Sequence, residues 1–134
     1  MIDIEKEIFT EIAQAVRAIY QDAYVTGEYV RTPPSFPCVS VEEKDNATLR
    51  RTQTSAVLEN HAVLMYEVNV YSNKEKGKKS ECRALINVVD TTFQRLGFTR
   101  QMLNPIPNLE DATIYRIIAR YKAVVDQSNV IYRR

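Results

Sequence analysis

The chain opens on a helical period. Ile4, Ile8, Ile12, Ala15, Val16 and Ile19 recur at spacings of three and four, which places them on one face of a helix over Asp3–Tyr20. Asp3 stands where an N-cap is needed, and Glu5, Glu7 and Glu11 fall where the helix dipole favours negative charge. The segment Ala23–Val30 is rich in β formers, with Gly27 as a turn or bulge. Thr32–Pro37 holds three prolines and reads as an extended connector. Cys38–Glu43 alternates, with Val39 and Val41 facing inward. Lys44–Ser55 is polar and aperiodic, and is expected to form a long loop or a projecting hairpin between two strands.

The longest strand pattern spans Val57–Tyr71. Leu58, Ala62, Leu64, Tyr66, Val68 and Val70 share one face, and Met65, Glu67, Asn69 and Tyr71 the other. Ser72 and Glu75 stand as a capping box before a second helix, whose apolar face is Cys82, Leu85, Ile86, Val89, Phe93 and Leu96. Lys74, Lys76, Lys78 and Lys79 open that helix and Gly77 weakens its start, while Gly97 supplies its left-handed end. Phe98–Leu103 predicts a short strand and Asn104–Asn108 a rigid linker. Ala112–Val125 alternates: Tyr115, Ile117, Ala119, Tyr121 and Ala123 on one face, Arg116, Ile118, Arg120 and Lys122 on the other. A turn over Asp126–Asn129 and a last short strand over Val130–Tyr132 complete the chain. One wetter and one apolar sheet face predict an α+β fold: a mostly antiparallel sheet of about 4–6 strands with two main helices on one side.

A length of 134 residues suits one domain over residues 1–134. No apolar run approaches the roughly 18 residues of a membrane span, and Met1–Glu7 lacks the basic start of a signal peptide, so a cytoplasmic origin and no membrane partner are expected. Cys38 and Cys82 have no CxxC spacing and are read as buried small apolar residues. The net charge of +1 gives no global case for nucleic-acid binding. It is split along the chain, however, with 4 basic and 9 acidic residues in positions 1–46 and 14 basic and 8 acidic in positions 47–134. Such asymmetry offers a way for one copy to dock on the next, and the plainer expectation is that folding mixes both halves over one surface.

Catalytic chemistry finds little footing. His61 is the sole histidine, with no sequence-adjacent acid or cysteine to build a metal site or a nucleophile–base pair. Asp90 is the one helix carboxylate placed for partial burial, a weak acid–base candidate. Gly77-Lys78-Lys79-Ser80 resembles only the tail of a phosphate-binding loop, the first glycine being absent. The expectation is a protein without enzymatic activity, cofactor or metal. Arg116, Arg120 and Lys122 share a strand face as a basic stripe, which suits an acidic protein partner, a DNA-accessible channel or a soluble sheet face. With Arg50, Arg51, Lys74, Lys78 and Lys79 they form the candidate interaction surface.

Several pieces of the second half carry a family resemblance in their order and spacing. They are Tyr66-Glu67-Val68-Asn69-Val70-Tyr71-Ser72-Asn73, Gly77-Lys78-Lys79, Leu96-Gly97-Phe98-Thr99-Arg100, Pro105-Ile106-Pro107-Asn108, Ile114-Tyr115-Arg116-Ile117 and Arg120-Tyr121-Lys122-Ala123-Val124-Val125-Asp126. This run, covering roughly residues 60–134, resembles the tail terminator and related minor tail or tail-completion proteins of siphophages and prophages of Gram-positive bacteria. The resemblance implies a mixed sheet flanked by helices, and a hexameric ring at the head-proximal end of the tail tube. Such a ring stops tube polymerisation, offers a surface to head connector proteins, and lets DNA pass through its lumen. It implies a place in the virion tail, after assembly in the bacterial cytoplasm. Another head–tail joining protein, or a protein-binding module unrelated to phage, are the competing readings.

Overall fold

The computed structural model of the chain describes residues 1–49, 60–107 and 111–132. Its elements run α1 (Glu5–Ile19), β1 (Tyr24–Thr26), β2 (Cys38–Thr48), β3 (His61–Ser72), α2 (Lys78–Leu96), β4 (Thr99–Ile106), β5 (Tyr115–Asp126) and β6 (Ile131–Tyr132). The strands form one sheet in the order β1-β2-β3-β5-β4, with β6 beside β5. Only β1–β2 is parallel; the remaining pairs are antiparallel. This is an α+β fold of the kind that the two periodicities predict.

The core follows from the alternation. Val39, Val41, Leu64, Tyr66, Val68, Val70, Ile117, Tyr121 and Val125 turn one sheet face toward Ile8, Ile12, Val16, Leu85, Val89 and Phe93 of the helices, and all are buried. Four rings meet at its centre: Phe93 stacks on Tyr121 with centroids 4.3 Å apart and planes 9° from parallel, and meets Phe98 edge-on at 5.2 Å. Tyr66 adds contacts to Phe93 at 6.0 Å and to Phe98 at 5.5 Å. The thiols of Cys38 and Cys82 are free and buried, and burial pushes both up to about 12. Cys82 Sγ lies within hydrogen-bonding reach of two carbonyls, Tyr115 at 3.5 Å and Val70 at 3.8 Å, for its single S–H.

Several local expectations are corrected. The projecting loop begins later than Lys44, because β2 continues through Thr48 and pairs with β3 as far as Ala62 after an irregularity between Glu43 and Asp45. Lys44, Asp45, Ala47 and Thr48 of this arm are exposed, although the β3 residues opposite it include the fully buried Ala62 and Leu64, so no hydrophobic alternation marks it. Residues 50–59 lie outside the described residues. Ser72 caps no helix: it ends β3 fully buried, donates to Glu81 Oε1 at 2.7 Å and accepts from the Lys74 N–H at 3.3 Å. The helix starts instead after Gly77, whose φ of 87° is a left-handed conformation that a side chain would strain. Lys74 and Lys76 therefore precede α2. Gly97 takes φ 99° and ends the helix as expected. The Pro105 region is strand rather than linker: β4 runs to Ile106, and Pro105, opposite Ile117 on an outer strand, is tolerated where its missing N–H faces away from the sheet.

At the start of α1 the Asp3 carboxylate accepts the Glu5 N–H at 3.1 Å. Ile2 and Ile4 are buried, and Asn46 Nδ2 donates to the Ile2 carbonyl at 2.8 Å, tying this segment to β2. Glu43 lies beneath it. Partial burial first, then the charge of Glu5, raise its carboxyl above the ordinary value, against a lowering hydrogen bond from Tyr66. An acid raised in the folded state contributes stability that is full below its unfolded pKa and is lost as pH rises through the folded one. Glu43→Gln keeps an acceptor for Tyr66 and removes the charge. It is expected to melt higher than the parent at neutral pH, with the gap closing as pH falls into the carboxylate range; parallel thermal melts across that range check the sign.

Candidate interaction surface

The sheet face turned away from the helices holds the predicted basic stripe. Strand register sets what it meets: Glu67 stands opposite both Glu42 and Arg120, and Tyr71 opposite Arg116. Nε and Nη2 of Arg120 both reach Glu67 Oε1 at 3.0 Å. Asn69 Nδ2 donates to Glu67 Oε2 at 3.3 Å and accepts on its oxygen from Arg116 Nε at 2.9 Å. The Arg116 guanidinium lies 5.5 Å from the centre of the Tyr71 ring, a cation–π distance. Two carboxylates facing each other repel, and Lys44 sits between them, 3.3 Å from Glu42 and 3.9 Å from Glu67.

This face is drier than its sequence suggests. Glu67, Asn69, Ser40 and Ile118 are buried. Cys38, Tyr71 and Ile114 form a second small cluster with Val30 and Phe36 from the proline-rich connector. The Tyr71 hydroxyl donates to the Val30 carbonyl at 3.2 Å, fastening the connector across one end of the sheet; burial raises its pKa. Arg116 and Arg120 thus spend their charge within the molecule. Arg120 is 44% exposed at its side chain, so its Coulomb attraction is screened and its main effect is to satisfy the buried Glu67 carboxylate. Lys122, opposite Met65, is exposed.

The remaining predicted residues separate. Lys74 and Lys79 are exposed and Lys78 half-buried at the start of α2, where Lys78 is near Asp111. Asp111 is held below the usual carboxylate range first by hydrogen bonds from Thr113. Arg50 and Arg51 lie outside the described residues. The partners Glu67 and Asn69 were not singled out in the sequence; their signal, an acid and an amide paired with arginines, exists only once the β3–β5 register is known.

Asp90 forms the second polar node, on the helix side. It accepts from Gln94 Nε2 at 2.7 Å, from the Tyr121 hydroxyl at 2.9 Å and from Arg100 Nη1 at 3.0 Å. Burial, then the bond to Asp90, raises the Tyr121 pKa. The carboxylate once considered for acid–base work is therefore engaged by three donors. Beside it an open groove of about 410 Å³ runs between α2 and β4, lined by Arg83, Ile86, Asn87, Arg100 and Leu103. Among the described residues no group of three or more His, Cys, Asp or Glu side chains could hold a metal ion, and no helix is long and apolar enough to cross a membrane.

These elements define a mixed-sheet α+β protein whose polar nodes are internal. No family model matches the chain, and no curated protein matches it. Among solved structures, a chain from the "Virion of native gene transfer agent (GTA) particle" has the same fold: TM-score 0.66 over 92% of this chain and 94% of that one, at 14% identity.

Proposed function

We propose that this chain is a structural virion protein that forms a ring at the head-proximal end of a phage tail tube. The ring ends tube polymerisation and presents the surface on which the head connector docks. The carrying observation is that nearly the whole length of the chain shares its fold with a chain of a virion particle. The ordered segments over roughly residues 60–134 that resemble tail terminator proteins narrow the role within the virion.

The side chains favour binding over catalysis. Asp90 and Glu67, the buried carboxylates among the described residues, are each engaged by several donors of the protein itself. The protein acts on this reading by shape and self-assembly, without cofactor, in the tail of a virion put together in the bacterial cytoplasm. Its partners are further copies of itself, the tail tube protein and head connector proteins, and DNA passes through the ring without sequence recognition.

Light scattering and negative-stain microscopy of the purified protein, alone and with preformed tail tubes, test this. A mass near six times 15.5 kDa, or rings capping tube ends, is expected. A protein that ignores tubes and binds filled heads would instead be a head–tail joining protein, and one that binds neither would overturn the reading.

A further inference from the structure

Folding mixes the two charge halves where α1 packs on α2 and Arg95 pairs with Glu11, and keeps them apart at the two sheet margins. Sheet order separates them: β1 and β2 with α1 lie at one side, β5 and β4 with α2 at the other. On the first side the exposed acids Asp3, Glu5, Glu7, Asp22, Glu28 and Asp45 outnumber the exposed bases Lys6, Arg17, Arg31 and Lys44. On the second they are mainly basic, with Lys79, Arg83, Arg100 and Lys122.

Each side also ends in a strand with one uncovered edge. Among the described residues β1 pairs only with β2, and β4 only with β5. Asp22 and Glu28 flank β1, and between them Tyr24 is 36% exposed, a large ring left at the molecule's margin. Across the sheet, the groove between α2 and β4 is of mixed character, lined by Ile86 and Leu103, by Asn87 and Asp90, and by the guanidinium groups of Arg83 and Arg100. Arg100 already pairs with Asp90, and its side chain keeps 47% exposure for a second acceptor. One margin thus offers a ring flanked in sequence by two exposed carboxylates, and the other a mixed groove with two arginines.

We infer that copies of this chain dock head to tail, the β1 margin of one (Asp22, Tyr24, Glu28) seating in the α2–β4 groove of the next (Arg83, Ile86, Arg100, Leu103). Two different patches meeting in this way make a heterologous interface, which propagates around a ring until it closes. The inference rests on the ring reading above and specifies which surfaces build it.

A charge-swap experiment isolates it. Arg83→Glu leaves a copy acidic at both margins, and Asp22→Lys with Glu28→Lys leaves a copy basic at both. Each substitution is at an exposed site, and circular dichroism and thermal melting check that the fold is kept. Self-association of the parent protein is followed by light scattering and zero-length cross-linking at low and high salt. Each variant alone should associate at least roughly tenfold more weakly than the parent, and an equimolar mixture of the two should recover the parent's assembly, because every contact then joins opposite charges. Recovery in the mixture is the decisive result. A parent that stays monomeric at all concentrations, variants that assemble like it, or a mixture that fails to recover would each overturn the docking mode. Tube capping is scored separately, so assembly by this interface without capping counts against the tail reading alone.

Discussion

Replacing Phe93 with alanine should remove about 3–5 kcal/mol of stability, the largest loss expected from any single truncation in this chain. Phe93 is fully buried and is the ring that touches all three others of the aromatic cluster, Tyr66, Phe98 and Tyr121. Truncation loses the transfer energy of the ring and leaves a void. The three remaining rings are anchored on β3, after α2 and on β5, so they cannot close together without moving the sheet. Phe93→Leu fills most of the volume and should cost about 1–2 kcal/mol.

Against a typical domain stability of about 5–15 kcal/mol, the alanine variant stands near the edge of folding. Urea titration of both variants provides the comparison, with near-ultraviolet circular dichroism reporting the tyrosine environment; the chain has 8 tyrosines and no tryptophan. A loss below about 1 kcal/mol for alanine would mean that the cluster is loosely packed and collapses freely.

What the sequence discloses here depends on how local its physical cause is. α1, α2, β3 and β5 were legible because each buries one face under a single period, and residues such as Ile12, Leu85, Val68 and Tyr121 fall inside as the spacing requires. The outer arm of β2 was not, because four of the five residues of Lys44–Thr48 are exposed and its place in the sheet comes from pairing with β3, which leaves no apolar period in its own sequence. Ser72 satisfied the pattern of a helix cap, yet its hydroxyl is held by Glu81, a partner nine residues on, while β3 continues through it. Pro105 marked a linker by local rules. Only the strand order, which puts β4 on the outside, makes it acceptable in a strand.

The candidate surface was legible by face and not by partner. Alternation put Arg116, Arg120 and Lys122 on one face, but the partners of the two arginines, Asn69 for Arg116 and Glu67 for Arg120, lie some fifty positions away and are brought close by register. The same non-locality hid the cover over the second sheet face: nothing near Val30 or Phe36 in sequence shows that they pack on Tyr71. The charge split was visible at once, whereas only the sheet order shows that β1 and β4 carry its two ends to opposite margins.

Asp90→Ala should cost about 3 kcal/mol, chiefly through the groups it abandons rather than through the ion pair it breaks. Its carboxylate is held by Arg100, Tyr121 and Gln94. The Arg100 side chain is 47% exposed, so water takes over its charge and that contact is worth well under about 1 kcal/mol. Tyr121 has no such recourse, since it is fully buried and its hydroxyl would be left without the acceptor it now has. Two further variants separate these contributions. Asp90→Asn keeps an acceptor for Tyr121, loses the charge and turns an amide N–H toward Gln94, whose own amide can flip to accept it, so it should cost about 1 kcal/mol or less beyond that rearrangement. Tyr121→Phe removes the donor and should cost about 1 kcal/mol, and in that background Asp90→Ala should cost less than it does alone, with a coupling of roughly 1–2 kcal/mol. If instead Asp90→Asn proved as damaging as Asp90→Ala, the charge itself would be what holds α2 against β4. The same carboxylate fixes Arg100 at the lip of the α2–β4 groove, so Asp90→Asn should also weaken self-association while leaving the melting temperature nearly unchanged. Light scattering of that one variant therefore links the internal node to the docking margin.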